Sequence, residues 1–183
     1  MKKSTQLGSY NNDFYRPGSF FKRITWYCIN FIIFHTSLPF PTFLKVGLLK
    51  VYGGRVGSNA IIKPRVNIKY PWLLIMGDNV WLGEDVWIDN LGLVTIGDNV
   101  CLSQGCYLLT GNHNYKSVGF DLMVKEIVLE DGVWIGAKAI VCPGVVCRSH
   151  SILSVQSVAI DELCEYGIYQ GNPAIFKKNR QIS

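Results

Sequence analysis

Val56-Gly57-Ser58-Asn59-Ala60 recurs as Met76-Gly77-Asp78-Asn79-Val80 and again as Ile96-Gly97-Asp98-Asn99-Val100, with a spacing of 20 residues both times. A six-residue period runs beneath it. Aliphatic residues fall at Val56, Ile62 and Ile68, then at Met76, Leu82 and Ile88, then at Ile96, Leu102 and Leu108. Small or β-branched residues follow four positions later at Ala60, Val66, Val80, Val86, Val100 and Cys106. The register resumes at Leu129, Ile135, Val141, Cys147 and Leu153, with companions Val133, Ala139, Val145, Ser151 and Ser157.

A helix repeats every 3.6 residues and a two-faced strand every 2, so neither alone gives a period of six. One short strand plus one corner does, and three such sides close a coil of about 18 residues. Stacked coils place each aliphatic residue over its equivalent below, and no coil can bury its own face without a neighbour. The spacing predicts about five coils over residues 51–160, with two extra residues per 20-residue unit bulging at one corner. Gly and Asn at the corners suit tight turns because both tolerate positive φ.

The composition of the 183-residue chain fits this reading. Charged residues are 17% and hydrophobic ones 49%, which excludes a disordered chain. The net charge of +5 is concentrated at the ends, in Lys2, Lys3, Arg16, Lys22 and Arg23 and in Lys177, Lys178 and Arg180. A nucleic-acid binder would carry a denser basic face. Six cysteines without a CxxC pair, and no recognisable secretory leader, predict reduced thiols and a cytoplasmic setting. Residues 1–50 form an N-terminal helical cap. Phe20, Phe21, Ile24, Cys28, Phe31 and Ile32 fall at helical spacing, and a second helix covers Thr42 to Tyr52. Covering the open end of the coil is the favoured role, and contact with the inner membrane is the alternative. Residues 161–183 form a short tail.

The repeat breaks once. Leu129 follows Leu108 by 21 positions, where the register asks for about eight, so a loop at 110–126 leaves the coil. Its root carries Thr110-Gly111-Asn112-His113-Asn114-Tyr115. Long loops in compact repeats tend to carry function, and an imidazole is suited to taking a proton from a hydroxyl near neutral pH.

These features together resemble the hexapeptide-repeat proteins, which form a left-handed parallel β-helix, and within them the maltose, galactoside, nodulation and colanic-acid O-acetyltransferase group. The resemblance covers roughly residues 50–180. It implies an acetyl-CoA-dependent O-acetyltransferase acting on a hydroxyl of a sugar or surface-polysaccharide unit. It further implies a homotrimer with sites between subunits, no covalent intermediate and no metal. His113 would be the catalytic base. Asp89, Asn90, Asn112 and Tyr115 would bind the acceptor, with specificity in the loop Asn112–Lys125 and stacking surfaces at Tyr115 and Phe120. Gly132-Val133-Trp134-Ile135-Gly136 resembles the family's tryptophan motif, so Trp134, Gly136, Ala137 and Val155 would border acetyl-CoA, with the Ala137 N–H as an oxyanion donor. Gly171-Asn172-Pro173-Ala174 resembles its closing signature, which places Pro173 near the cofactor and Lys177, Lys178 and Arg180 near its phosphates.

The chain departs from that pattern at three places. Ala137 stands where several relatives have Ser, Asn114 where colanic-type relatives have Asp, and Asp161 where many have Lys. Other readings remain at this level. A non-catalytic scaffold is compatible with the repeat alone. A zinc hydrolase would need converging histidines, and His35, His113 and His150 are spread along the chain. The cysteines occupy packing slots.

Overall fold

The computed structural model describes residues 4–182; Lys2 and Lys3 of the basic N-terminal end lie outside them. Five complete triangular coils stack along one axis. The first is β1 (Arg55–Val56), β2 (Ile61–Ile62) and β3 (Asn67–Ile68), and the second is β4 (Leu74–Met76), β5 (Trp81–Leu82) and β6 (Trp87–Asp89). The third is β7 (Val94–Ile96), β8 (Cys101–Leu102) and β9 (Tyr107–Leu109). A hairpin then leaves the coil as β10 (Gly111–His113) and β11 (Leu122–Val124), paired antiparallel. The fourth coil is β12 (Ile127–Leu129), β13 (Trp134–Ile135) and β14 (Ile140–Val141), and the fifth is β15 (Val146–Cys147), β16 (Ile152–Leu153) and β17 (Val158–Ala159). A partial sixth turn holds β18 (Gly167–Gln170), which pairs parallel with β16, and β19 (Ile175–Asn179) folds back antiparallel to it.

The register is the one the six-residue period predicts. Val56, Met76, Ile96, Leu129 and Cys147 stack on the first face. Ile62, Leu82, Leu102, Ile135 and Leu153 stack on the second. Ile68, Ile88, Leu108, Val141 and Ala159 stack on the third. All are buried. A fully buried aliphatic side chain contributes roughly 1.5–3 kcal/mol, and each finds its apolar partner only in the coils above and below. Cys106 and Cys147 are fully buried in packing slots, and burial pushes both thiols up, the opposite of what a nucleophilic cysteine needs.

The corners differ from expectation in one detail. Asn59, Asn79 and Asn99 do adopt positive φ, near 57°, but Gly57, Gly77 and Gly97 do not. Those glycines answer to space. A Cβ on Gly77 would lie 2.8 Å from the carbonyl carbon of Gly97, and it would strike the Asp98 carboxylate. That carboxylate accepts the Asp78 N–H at 2.7 Å, and Asp131 repeats the contact on Asp98 at 2.8 Å. The extra residues of the 20-residue units bulge between the third face and the first, where Pro71–Leu73 forms a 3-10 turn.

Two helices precede the coil: α1 (Phe20–Ile29), continued by a π turn over Asn30–Phe34, and α2 (Thr42–Val51). A strand edge needs hydrogen-bond partners as well as cover. The Thr42 hydroxyl accepts the Ile62 N–H at 3.4 Å. Lys45 Nζ donates to the carbonyls of Ile62 and Lys63 at 3.3 and 2.9 Å. On the next face, Trp26 Nε1 donates to the Ile68 carbonyl at 2.8 Å, and Asn30 accepts the Ile68 N–H at 3.4 Å. The helices thus cap the open end, but not with the stripe the helical spacing suggests. Phe20, Phe21, Ile24, Cys28, Phe31 and Ile32 all face outward, Phe21 at 79% exposure. Trp26, Phe34 and Leu49 form the buried face instead. No helix among the described residues is long and apolar enough to cross a membrane.

Candidate active site

His113 ends β10, opposite Leu122 where the hairpin ladder opens into its loop. Its Nδ1 lies 2.8 Å from the carbonyl oxygen of Phe120, and its ring stacks on the Phe120 ring at 4.4 Å and 4°. A carbonyl can only accept, so Nδ1 carries the proton in the neutral ring and Nε2 keeps a lone pair. Phe120 holds this position with φ of 54°. One face of its ring is committed to His113, so only the opposite face is left for a sugar. Asn112 caps the strand end by accepting the His113 N–H at 2.7 Å. Tyr115 projects from the hairpin at 77% exposure.

A polar cavity of about 480 Å³ opens at His113. Beyond the imidazole, its chemistry comes from Tyr10, Asp13, Arg16, Arg23 and Lys69. The segment before α1 forms this wall. The Gln6 N–H donates to Val118 O at 2.9 Å, Tyr15 Oη donates to Leu91 O at 2.7 Å, and Trp72 Nε1 donates to Pro17 O at 2.7 Å. The Tyr10 ring lies 5.7 Å from that of His113. Burial, reinforced by the charge of Asp89, pushes the Tyr15 hydroxyl up, so it stays a neutral donor. Sequence reasoning missed this strap, since nothing in the repeat places residues 5–18 over a hairpin a hundred positions away.

Asp89 ends β6 and is paired with Lys69 at 2.8 Å. It lines a second, apolar cavity of about 530 Å³ between α1 and the third face. Asn90 corrects the sequence expectation. It is fully buried. Its amide donates to the carbonyls of Tyr70 and Leu73 at 2.6 and 3.0 Å and accepts the Tyr70 N–H at 2.9 Å. Its donors are spent on tying the bulge of one coil to that of the next, so it does not face an acceptor.

The other cluster sits on the second face and the corner after it. Trp134 is 45% exposed, and its Nε1 donates to Ser103 Oγ at 2.9 Å. Gly136 admits no side chain, because a Cβ there would lie 2.6 Å from the Val155 amide nitrogen. The Ala137 carbonyl accepts the Gln156 N–H at 2.9 Å, while its own N–H has no partner among the described residues. The equivalent corner residues Glu84, Gln104 and Val155 share this freedom, so the coil geometry itself supplies the donor. Trp134, Ile152, Ile168 and Lys178 are successive neighbours across β13, β16, β18 and β19. Strand spacing puts Lys178 about 14 Å from Trp134 along the prism. Lys177 and Pro173 are exposed. Arg180 departs from expectation, since its Nη1 donates to the carbonyls of Gly132 and His150 at 3.0 and 3.3 Å and pins the tail to the coil.

Within one chain the two clusters do not meet. Ala137 lies at the start of the third face, and the hairpin bearing His113 leaves beyond its end. A side of six extended residues spans up to roughly 20 Å. No group of three His, Cys, Asp or Glu side chains among the described residues could hold a metal.

Comparison with known proteins places this architecture. The protein named "Putative colanic acid biosynthesis acetyltransferase WcaF" in Escherichia coli (strain K12) is 32% identical over 166 residues, covering 91% of each chain. The chain belongs to the hexapeptide-repeat acetyltransferases. The galactoside O-acetyltransferase of the same organism is 27% identical, over 76% of this chain and 70% of that one. No protein-family model matches the chain. Among solved structures, the Vibrio cholerae hexapeptide-repeat-containing acetyltransferase complexed with acetyl coenzyme A superposes with a TM-score of 0.80 at 20% identity, covering 88% of each chain. A galactoside acetyltransferase in complex with coenzyme A gives 0.77 at 23%, covering 86% of this chain and 80% of that one. A mirror-image coil could not superpose so closely, and the helix of this acetyltransferase is left-handed.

Proposed function

We propose that this acetyltransferase transfers an acetyl group from acetyl-CoA to a hydroxyl of a sugar or surface-polysaccharide unit, with His113 as general base. The observation that carries this reading is the 2.8 Å contact between His113 Nδ1 and the Phe120 carbonyl. It leaves Nε2 unprotonated and aimed away from its anchor, as a hydroxyl-activating base requires. Nε2 takes the acceptor hydroxyl proton as the oxygen bonds to the thioester carbonyl carbon. The Ala137 N–H stabilises the resulting oxyanion. The C–S bond then breaks and the thiolate takes the proton from the imidazolium, so no covalent enzyme intermediate forms.

The chain has groups suited to acetyl-CoA: an exposed Trp134 for the pantetheine arm, corners at Gly136 and Ala137 too tight or too small to obstruct it, and Lys177 and Lys178 for phosphates. The separation of Ala137 from His113 supports a homotrimer in which one subunit's His113 meets the cofactor on its neighbour. Asp89, beside Lys69, and Asn112 remain acceptor candidates. The outward apolar face of α1 supports peripheral contact with the cytoplasmic side of a membrane, which liposome flotation would test. Thiol release from acetyl-CoA against a panel of sugars, in the wild type and in His113→Ala, tests the main reading. Near-full activity of the variant overturns it.

A further inference from the structure

Arg23, in the first turns of α1, lines both the polar cavity at His113 and the apolar cavity beside it. Its Nε is shut off from solvent and has no hydrogen-bond partner, and Arg23 takes part in no ion pair among the described residues. Such a donor costs free energy until something accepts from it. The neighbouring charges are otherwise engaged. Lys69 holds Asp89, and Asp13 accepts from the Asn11 amide at 3.1 Å. Across the two cavities, Arg16, Arg23 and Lys69 face only Asp13 and Asp89 as carboxylates. On one side of Arg23 the walls are polar and lead to His113. On the other they are Phe20, Ile24, Tyr27 and Phe31.

We propose that Arg23 is an anion-binding residue of the acceptor site and that the acceptor is a glycosyl phosphate, its phosphoryl group at Arg23 and its sugar directed toward His113. This rests on acetyl transfer occurring at His113. A guanidinium presents parallel donors that match phosphoryl oxygens. A neutral sugar would leave the excess of three cations over two carboxylates across the two cavities uncompensated. The apolar cavity takes whatever the phosphate is esterified to, either an isoprenoid chain or a nucleoside.

Calorimetric titration of the full chain with glucose 1-phosphate, UDP-glucose, farnesyl phosphate, methyl glucoside and farnesol tests the proposal. At least one phosphate probe is expected to bind the wild type. Arg23→Gln is expected to weaken it at least tenfold and Arg23→Lys by less, with methyl glucoside and farnesol unaffected. The tightest phosphate probe then identifies the esterifying group. Methyl glucoside binding as tightly as every phosphate probe overturns the proposal. So does unchanged phosphate affinity in Arg23→Gln, including the case where that variant merely melts lower. His113→Ala should keep its phosphate affinity. Arg23-dependent binding without any thiol release would therefore sink the transfer reading alone, and the reverse result would sink this one alone.

Discussion

His113 Nδ1 donates to the Phe120 carbonyl at 2.8 Å while the two rings stack, so one residue of the hairpin fixes both the tautomer and the plane of the base. Replacing His113 with Ala or Gln should lower kcat by about 10²–10⁴-fold with little change in the far-ultraviolet circular dichroism. Phe120→Ala keeps the carbonyl but loses the stack, so it should lower kcat by a smaller factor without changing the KM for acetyl-CoA. A Phe120→Ala enzyme as impaired as His113→Ala would mean that the hairpin had collapsed, which protease sensitivity would reveal.

The Ala137 N–H can be deleted without disturbing the coil. Pro64 occupies the equivalent corner of the first coil, followed by Arg65 at φ of 58°, just as Ala137 precedes Lys138 at 55°. This is the first central position of a turn that welcomes proline. Ala137→Pro should therefore leave the melting temperature unchanged or raised, and lower kcat by about 10²–10³-fold, the usual loss for one oxyanion donor. Unchanged turnover would remove the N–H from the chemistry.

Asn90 should behave as a structural residue. Asn90→Ala leaves the Tyr70 N–H and the carbonyls of Tyr70 and Leu73 without their partner. That should cost about 2–4 kcal/mol in urea unfolding, at 1–3 kcal/mol per stranded buried group with partial relaxation. The folded fraction should keep its acceptor KM. A selective rise in acceptor KM at normal stability would restore the binding role.

What could be read from the sequence divides along physical lines. The aliphatic ladder was legible to the residue, because identical coils must bury identical positions and the register has no freedom. The hairpin was legible as a break in that register. The direction of α1 was not, because apolar periodicity assumes that the covered surface is apolar. The end of a coil is a strand edge, and it selects the indole N–H of Trp26, the amide of Asn30 and the ammonium of Lys45 to face inward. Asn90 was misread for the same reason, since a polar residue at a bulge can serve the backbone as well as a ligand. The strap over His113 depends on contacts such as Tyr15 to Leu91, which no local pattern encodes.

Lys45 gives a pH prediction. Burial lowers its pKa from the usual 10.5, so between the lowered value and 10.5 the unfolded chain binds more protons than the folded one. Stability must then rise with pH across that window. Lys45→Met lacks this dependence and strands two carbonyls. It should be less stable by about 1–3 kcal/mol, with the gap widening as pH approaches 10 in denaturant titrations. A gap that narrows with pH would contradict the burial of the ammonium.

The separation of Ala137 from His113 by a full face predicts complementation between inactive chains. In a trimer whose sites combine His113 of one subunit with Ala137 of the next, His113→Ala and Ala137→Pro chains are each inactive alone. Unfolding and refolding them together assembles mixed trimers. A site is intact only when an Ala137→Pro chain supplies His113 to a neighbour that carries His113→Ala. Random mixing makes that about one site in four, so activity should return to about a quarter of the wild-type value. The double variant mixed with wild type provides the control, since its chains can contribute neither half. If both residues acted within one chain, mixing would restore nothing, and the intersubunit site would be ruled out whatever the oligomeric state.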